Sequence, residues 1–222
     1  MNWWRRLRDR WPGRVACRRW VVVDVEASGL DASRERLIAI AGVAVNLDDG
    51  VPRLALSDSF EVVLRQEDPG TGSDVDRPNI LLHGIGVGAQ RAGVPPIDAL
   101  EAFRRWLGDA PILGYHAAFD RTLIQRHCAS HLGRRLDNEW VDLEHVVLLV
   151  APGLPDRSLD SAMAHFGIRC PKRHQAAADA LATAEVLLRV WPLATAQMGG
   201  RSDFRSLRRL AARHHWLPRP GP

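Results

Sequence analysis

No apolar run in these 222 residues approaches the roughly 18 to 20 that a transmembrane helix needs, so no membrane span is expected. Cysteine is scarce. Cys17, Cys128 and Cys170 are odd in number and show neither CxxC nor Cys/His spacing, which argues against a disulfide framework or a zinc site and fits a reducing cytoplasm. The start, MNWWRRLRDRWPGR, is basic but lacks the apolar segment of a secretion signal, because the valines at 21–23 are cut at once by Asp24. Lysine is almost missing: Lys172 is the sole one, leaving arginine as 29 of the 30 basic residues. A net charge of +4 and a pI near 9.6 suit a polyanionic partner such as nucleic acid, and suit an arginine-rich codon supply equally well. No internal repeat, polymerase-like segment or sliding-clamp peptide is evident.

What is present organises itself as one domain with basic ends. The expected division is a Trp/Arg-rich leader over 1–18, a body over 19–193 and a basic helical tail over 194–222. Trp4, Leu7 and Trp11 recur in the leader at helical spacing. From Arg19, the runs RWVVVDVE, RLIAIAGVAV and one ending in SFEVVLR predict a three-stranded antiparallel meander, with DDGVP as the turn between the last two. Polar, Gly/Pro-rich loops then flank the short apolar piece NILLHGI. A helix is predicted from Pro95 or Pro96, with Ile97, Leu100, Phe103 and Leu107 on its inner face, followed by a strand PILGY and a helix over about 118–132. After WVDL come helices over roughly 142–151, 158–167 and 175–191, separated by Pro152, Pro155 and Pro171. Strands first, then helices interleaved with strands, give an α/β domain with a mixed sheet.

The chemistry begins at VVVDVEASGL, residues 21–30. Strand neighbours i and i+2 share a face, so Asp24 and Glu26 point the same way at the end of a buried-looking strand. Two such carboxylates need a cation, and carboxylate oxygens suit hard divalent ions such as Mg²⁺ or Mn²⁺; the alternative is a turn cap beside a solvated strand end. YHAAFD, residues 115–120, places Asp120 where PILGY passes into a helix. RHQAAADA, residues 173–180, places His174 at a helix entrance and Asp179 beyond small residues that let the helix approach closely. Histidine titrates near neutrality and so can serve as a general base.

In order and spacing, DVE, HAAFD and the HxAxxD of residues 174–179 resemble the three motifs of the DEDDh, or DnaQ-like, 3′-to-5′ exonucleases, the family that includes proofreading epsilon subunits of bacterial DNA polymerase III and stand-alone relatives. LLHGI around His83 resembles the segment between the first two motifs, and the likeness covers roughly residues 19–191. It implies an RNase H-like fold, a mixed five-stranded sheet flanked by helices, and two divalent cations, Mg²⁺ or Mn²⁺, held by Asp24, Glu26, Asp120 and Asp179. His174 would take the proton from the attacking water, and the product would be a nucleoside 5′-monophosphate. The same resemblance places the backbone at Ala27 and Ser28 and the side chain of Leu30 against the terminal nucleotide, with His83 and His116 along its sugar and phosphate. Many relatives carry two threonines after the glutamate, where this chain has Ala27 and Ser28. The expected partners are single-stranded 3′ ends of DNA or RNA and, by association, replication or repair machinery. An RNA-trimming enzyme of the same fold and a non-catalytic nucleic-acid-binding relative are the alternatives.

Overall fold

The computed structural model describes residues 18–67 and 77–216, so the leader reading and most of the QEDPGTGSDVDRP loop lie outside the described residues. Valine, isoleucine and alanine dominate the strands β1 (Arg19–Ala27), β2 (Leu37–Asp48) and β3 (Val51–Val63), which pair antiparallel as the expected meander. The β2–β3 turn is two residues long, and Asp49 and Gly50 both take positive φ (49° and 80°), the twist that a tight hairpin between right-twisted strands demands. Two short parallel strands, β4 (Ile112–Gly114) and β5 (Trp140–Asp142), complete a five-stranded sheet of order β3-β2-β1-β4-β5. β1 is central, flanked by β2 and β4.

Helices cover both faces. α1 (Arg77–His83) is built mainly from the apolar piece NILLHGI, and α2 (Val87–Arg91) forms within the Gly-rich stretch after it that was expected to be loop. α3 (Pro96–Leu107) and α4 (Ala117–Leu132) bury Leu100, Phe103, Leu123 and Ile124 against Val21, Val23 and Val25 on one face of the sheet. Ile97 departs from the expected inner face and is 54% exposed; Ala99 takes its place in the core. On the opposite face lie α5 (Leu143–Val150), α6 (Leu159–Phe166), α7 (Ala176–Gln197) and α8 (Phe204–Ala212), with a short 3-10 turn at Arg213–Trp216. α7 does not stop near residue 191, its expected end. It runs through Pro192, because Val190, Trp191 and Ala194 are all buried and tertiary packing holds the helix across the proline.

Trp20, with no exposed surface, anchors this second layer: Trp191 of α7 and Phe204 of α8 both meet it edge-on at 5.4 Å between ring centroids. Such edge-to-face pairs add about 0.5–1.5 kcal/mol each to the burial itself. The contact places the start of α8 beside the start of β1. Among the described residues no helix is long and apolar enough to cross a membrane.

Candidate active site

Alternation along β1 puts Trp20, Val22, Asp24 and Glu26 on the face that α7 covers, and Val21, Val23 and Val25 on the α3/α4 face. β4 pairs with β1 only at Val21 and Val22, so Asp24 and Glu26 run past its end; on their other side they pair with Ala41 and Ala39 of β2. A register shift after Glu26 ends the regular ladder. The start of α4 stands beyond β4. The chain leaves Gly114, whose missing side chain admits Ala117 (a Cβ there would lie 3.2 Å from the Ala117 Cβ), and turns through His116 at φ 56°. Asp120 follows in the first turn of α4, 4% exposed, its carboxylate accepting a hydrogen bond from the Val25 backbone N–H.

Asp179 arrives from the other layer. It sits in the first turn of α7, 6% exposed, accepts a 3.1 Å hydrogen bond from the His174 backbone N–H and is ion-paired with the Arg173 guanidinium. Both Asp120 and Asp179 occupy helix first turns, where the partial positive charge of the helix end favours a carboxylate. Arg173 also donates from Nε to Asp160 at 2.7 Å, so one guanidinium spans two aspartates. His174, with φ 60°, has an exposed side chain immediately before α7.

Electrostatics tie the four carboxylates together. Burial first, then the charges of Asp120, Asp179 and Glu26, push Asp24 well above the usual carboxylate range, and Arg173 alone pulls it back. Burial and Asp179 push Glu26 up to about 7, against the same arginine. Burial, with Asp142 adding to it, pushes Asp120 up to about 7. Asp24 is repelled by all three other carboxylates and Glu26 by Asp179, with Arg173 the cation set against both, so the site is short of positive charge. The donor set is the kind that hard divalent cations take, so the residues present fit such ions.

One trio among the described residues is packed more tightly. Asp142, Glu144 and His145 offer ligand atoms within 4.8 Å of one another, closer than the four carboxylates of the sequence motifs. Its oxygens already have work to do. Asp142 accepts from the backbone N–H of His116 and of Glu144, both at 3.1 Å. Glu144 meets His116 Nδ1 at 3.1 Å, Arg157 at 3.7 Å and His145 at 4.0 Å. Burial pushes Glu144 up, yet these cationic partners outweigh it and leave its carboxyl below the ordinary value, while its hydrogen bond holds His116 above. The trio braces the corner from which α4 and Asp120 start.

The softer sequence candidates divide. Leu30 is 93% exposed just past the end of β1, and His116 is half-exposed at the α4 entrance. Ser28 is engaged locally, its Oγ donating to Glu35 at 2.6 Å and accepting from the Arg36 N–H at 2.9 Å. Ala27 ends β1 at the register shift. His83 turns inward: it is 3% exposed and its Nδ1 accepts from the Ile85 N–H at 3.0 Å, so as placed it shapes the loop after α1. Sequence reasoning did not single out Arg173, Asp142 or Glu144. Arg173 stands beside His174 in the motif, and the signal that would have marked it is the need for a counter-charge near so many acids.

The model of the RNase_T exonuclease family matches residues 21–187, which span every one of these positions. DNA polymerase III subunit epsilon from Aquifex aeolicus is 27% identical over 192 residues, covering 86% of this chain and 89% of the relative. The PolC-type DNA polymerase III of Clostridium perfringens is 29% identical over 170 residues, 76% of this chain but 11% of that far longer protein. Among solved structures, Exonuclease I in its apo form superposes with a TM-score of 0.64 at 17% identity, covering 81% of this chain and 45% of that one. E. coli Exonuclease I in complex with a dA16 oligonucleotide gives a TM-score of 0.63 at 19% identity over 78% of this chain and 40% of that one. At such identities the likeness speaks to the fold, the RNase H-like mixed sheet with flanking helices expected from the motifs.

Proposed function

Because the chain belongs to the RNase_T exonuclease family, with the DnaQ-like motifs in place, we propose that it is a metal-dependent 3′-to-5′ exonuclease acting on single-stranded DNA or RNA ends and releasing nucleoside 5′-monophosphates. The observation that carries this reading is the electrostatic coupling of Asp24 to Glu26, Asp120 and Asp179 across three separate elements. A scaffold protein gains nothing from four carboxylates that destabilise one another, whereas a phosphodiesterase needs them.

Asp24, Glu26, Asp120 and Asp179 would hold two divalent cations, Mg²⁺ or Mn²⁺. When bound, such ions lower the pKa of water and stabilise the attacking and leaving oxygens of an in-line displacement at phosphorus. His174, exposed at the rim, is free to reach an attacking water and accept its proton. Its backbone is fixed by the N–H bond to Asp179, so base and ligand are positioned by one turn of chain. Leu30, exposed beyond the end of β1, would lie against a terminal base, with the backbone at Ala27 and Ser28 meeting the same nucleotide. His116, aligned by its hydrogen bond with Glu144, would lie along the sugar and phosphate. Cytoplasmic action on replication or repair intermediates accords with the names of the polymerase III relatives.

The test is a time course on 5′-labelled single-stranded DNA and on its RNA counterpart with Mg²⁺ or Mn²⁺. Stepwise shortening with release of 5′-mononucleotides supports the reading, and the ratio of the two rates assigns the preferred strand. Shortening from the 5′ end, internal cuts, or binding without hydrolysis under either metal would count against it.

A further inference from the structure

Away from the catalytic carboxylates, Arg205 and Arg209 on the exposed face of α8 and Arg213 at its C-terminal cap recur at intervals of four residues, and no acidic residue lies between Phe204 and Trp216. Steps of four residues are about 6 Å along a helix axis and keep side chains in one slightly drifting row. Arg208, off this row, is paired with Glu139, whereas no ion pair involves Arg205, Arg209 or Arg213 among the described residues. Like charges at i and i+4 repel, and Arg205 sits in the first turn, where the helix end disfavours a cation. Arg209 in the last turn and Arg213 at the C-cap stand at the opposite helix end, which favours cations, so the strain left in the free protein is the repulsion within the row.

Its position gives that repulsion a use. α8 begins at Phe204 against Trp20, at the start of β1, and runs toward the end of the sheet where the catalytic residues lie. At its far end, the His214 ring stacks on His145 at 3.3 Å between centroids; His145 lies 4.0 Å from Glu144, and Glu144 bonds His116 at the entrance of the helix bearing Asp120. Three side-chain contacts thus connect the end of the arginine row to the catalytic corner, with Arg157 beside Glu144 as a further basic group.

We propose that α8 extends the substrate path: Arg205, Arg209 and Arg213 bind the sugar-phosphate backbone of the single strand on the 5′ side of the reacting 3′ end. Extended row and extended polyanion match in charge and repeat. The strand leaves the carboxylates past His116 and follows the arginines down the side of the domain, so the length of the substrate beyond the reacting nucleotide sets affinity. This inference rests on the exonuclease reading but is separable from it.

The experiment compares wild type, a triple Arg205/Arg209/Arg213→Gln variant and the corresponding triple Lys variant on dT20 and on a dinucleotide too short to reach α8. For the Gln variant the expected result is a loss of at least tenfold in the dT20-to-dinucleotide ratio of kcat/KM. The slope of log affinity against log salt is also expected to fall by about 2, since each neutralised single-strand phosphate contributes about 0.7. The Lys variant keeps most of both. A ratio unmoved in the Gln variant, or dT20 and dinucleotide rates falling in parallel, would overturn the proposal. Absence of hydrolysis of either substrate by wild type would instead overturn the exonuclease reading.

Discussion

Replacing Asp120 by Asn is expected to stabilise the metal-free protein while destroying its activity. Burial, helped by Asp142, lifts Asp120 from its ordinary value of 3.8 to about 7. Between those two values the folded state holds a proton that the unfolded chain gives up, so stability falls as pH rises through that window and the full penalty is present above pH 7. At about 1.4 kcal/mol per tenfold change in proton affinity, the burden at pH 8 is at most about 4 kcal/mol. Part of it is shared with Asp24, and the asparagine amide must find its own partners, so a gain of about 2–3 kcal/mol is expected, or about 5–10 °C in Tm for a domain of this size. The assay is thermal and urea unfolding in EDTA at pH 8 and pH 4.5, with mononucleotide release measured in parallel with Mn²⁺. The advantage should be present at pH 8 and nearly vanish at pH 4.5, and added Mn²⁺ should raise the Tm of wild type far more than that of the variant. An Asn variant no more stable than wild type at pH 8, or one equally advantaged at both pH values, would refute the picture of a carboxylate held under electrostatic load.

Removing the imidazole, His174→Ala, should lower kcat by about 10²–10⁴. Its side chain is exposed, so unfolding stability should move by no more than about 0.5 kcal/mol. Arg173→Gln removes the guanidinium that engages Asp179 and Asp160; Mn²⁺ binding measured by isothermal titration should tighten by about tenfold, because no resident cation is displaced, while the metal-free protein melts lower at pH 8. Gly93→Ala tests the packing behind the site: a Cβ there would fall 2.7 Å from both the Arg65 N and the Leu64 C, both backbone atoms that cannot yield cheaply, so urea unfolding should show a loss of about 1–3 kcal/mol.

The candidate site carboxylates were the most legible part of the sequence because their chemistry conflicts with their surroundings. Acids after three valines, or beyond a run of alanines, have no reason to be there unless the fold gathers them, and the structure places Asp24, Glu26, Asp120 and Asp179 within one electrostatic neighbourhood. The meander was legible because successive short apolar runs and an Asp-Gly turn between the last two point the same way. The end expected for α7 near residue 191 fell short, since the local pattern says nothing of the buried Trp191 and Ala194 that hold the helix together on either side of Pro192. Ile97 misled for a related reason: at the second residue of α3 the helix has barely begun, and the periodicity that serves Leu100 and Phe103 does not yet apply. His83 carried a family-like pattern, and its inward turn at the end of α1 depends on the Ile85 amide that bonds its ring, a contact no spacing rule records. Arg173 and Glu144 went unseen because their partners, Asp160 and Asp179 for one and His116 for the other, meet them only after folding.

The central claim, that the carboxylates of the three motifs and not the tighter Asp142, Glu144 and His145 trio hold the divalent ions, is tested most directly by Mn²⁺ titration calorimetry at pH 7.5. Wild type, Asp24→Asn and Asp142→Asn are compared on equal footing. Expected is measurable binding in wild type, a loss of at least tenfold in affinity for Asp24→Asn, and a smaller loss for Asp142→Asn. Binding unaffected by Asp24→Asn but abolished by Asp142→Asn would contradict the claim and move the metal centre to the corner beside α5.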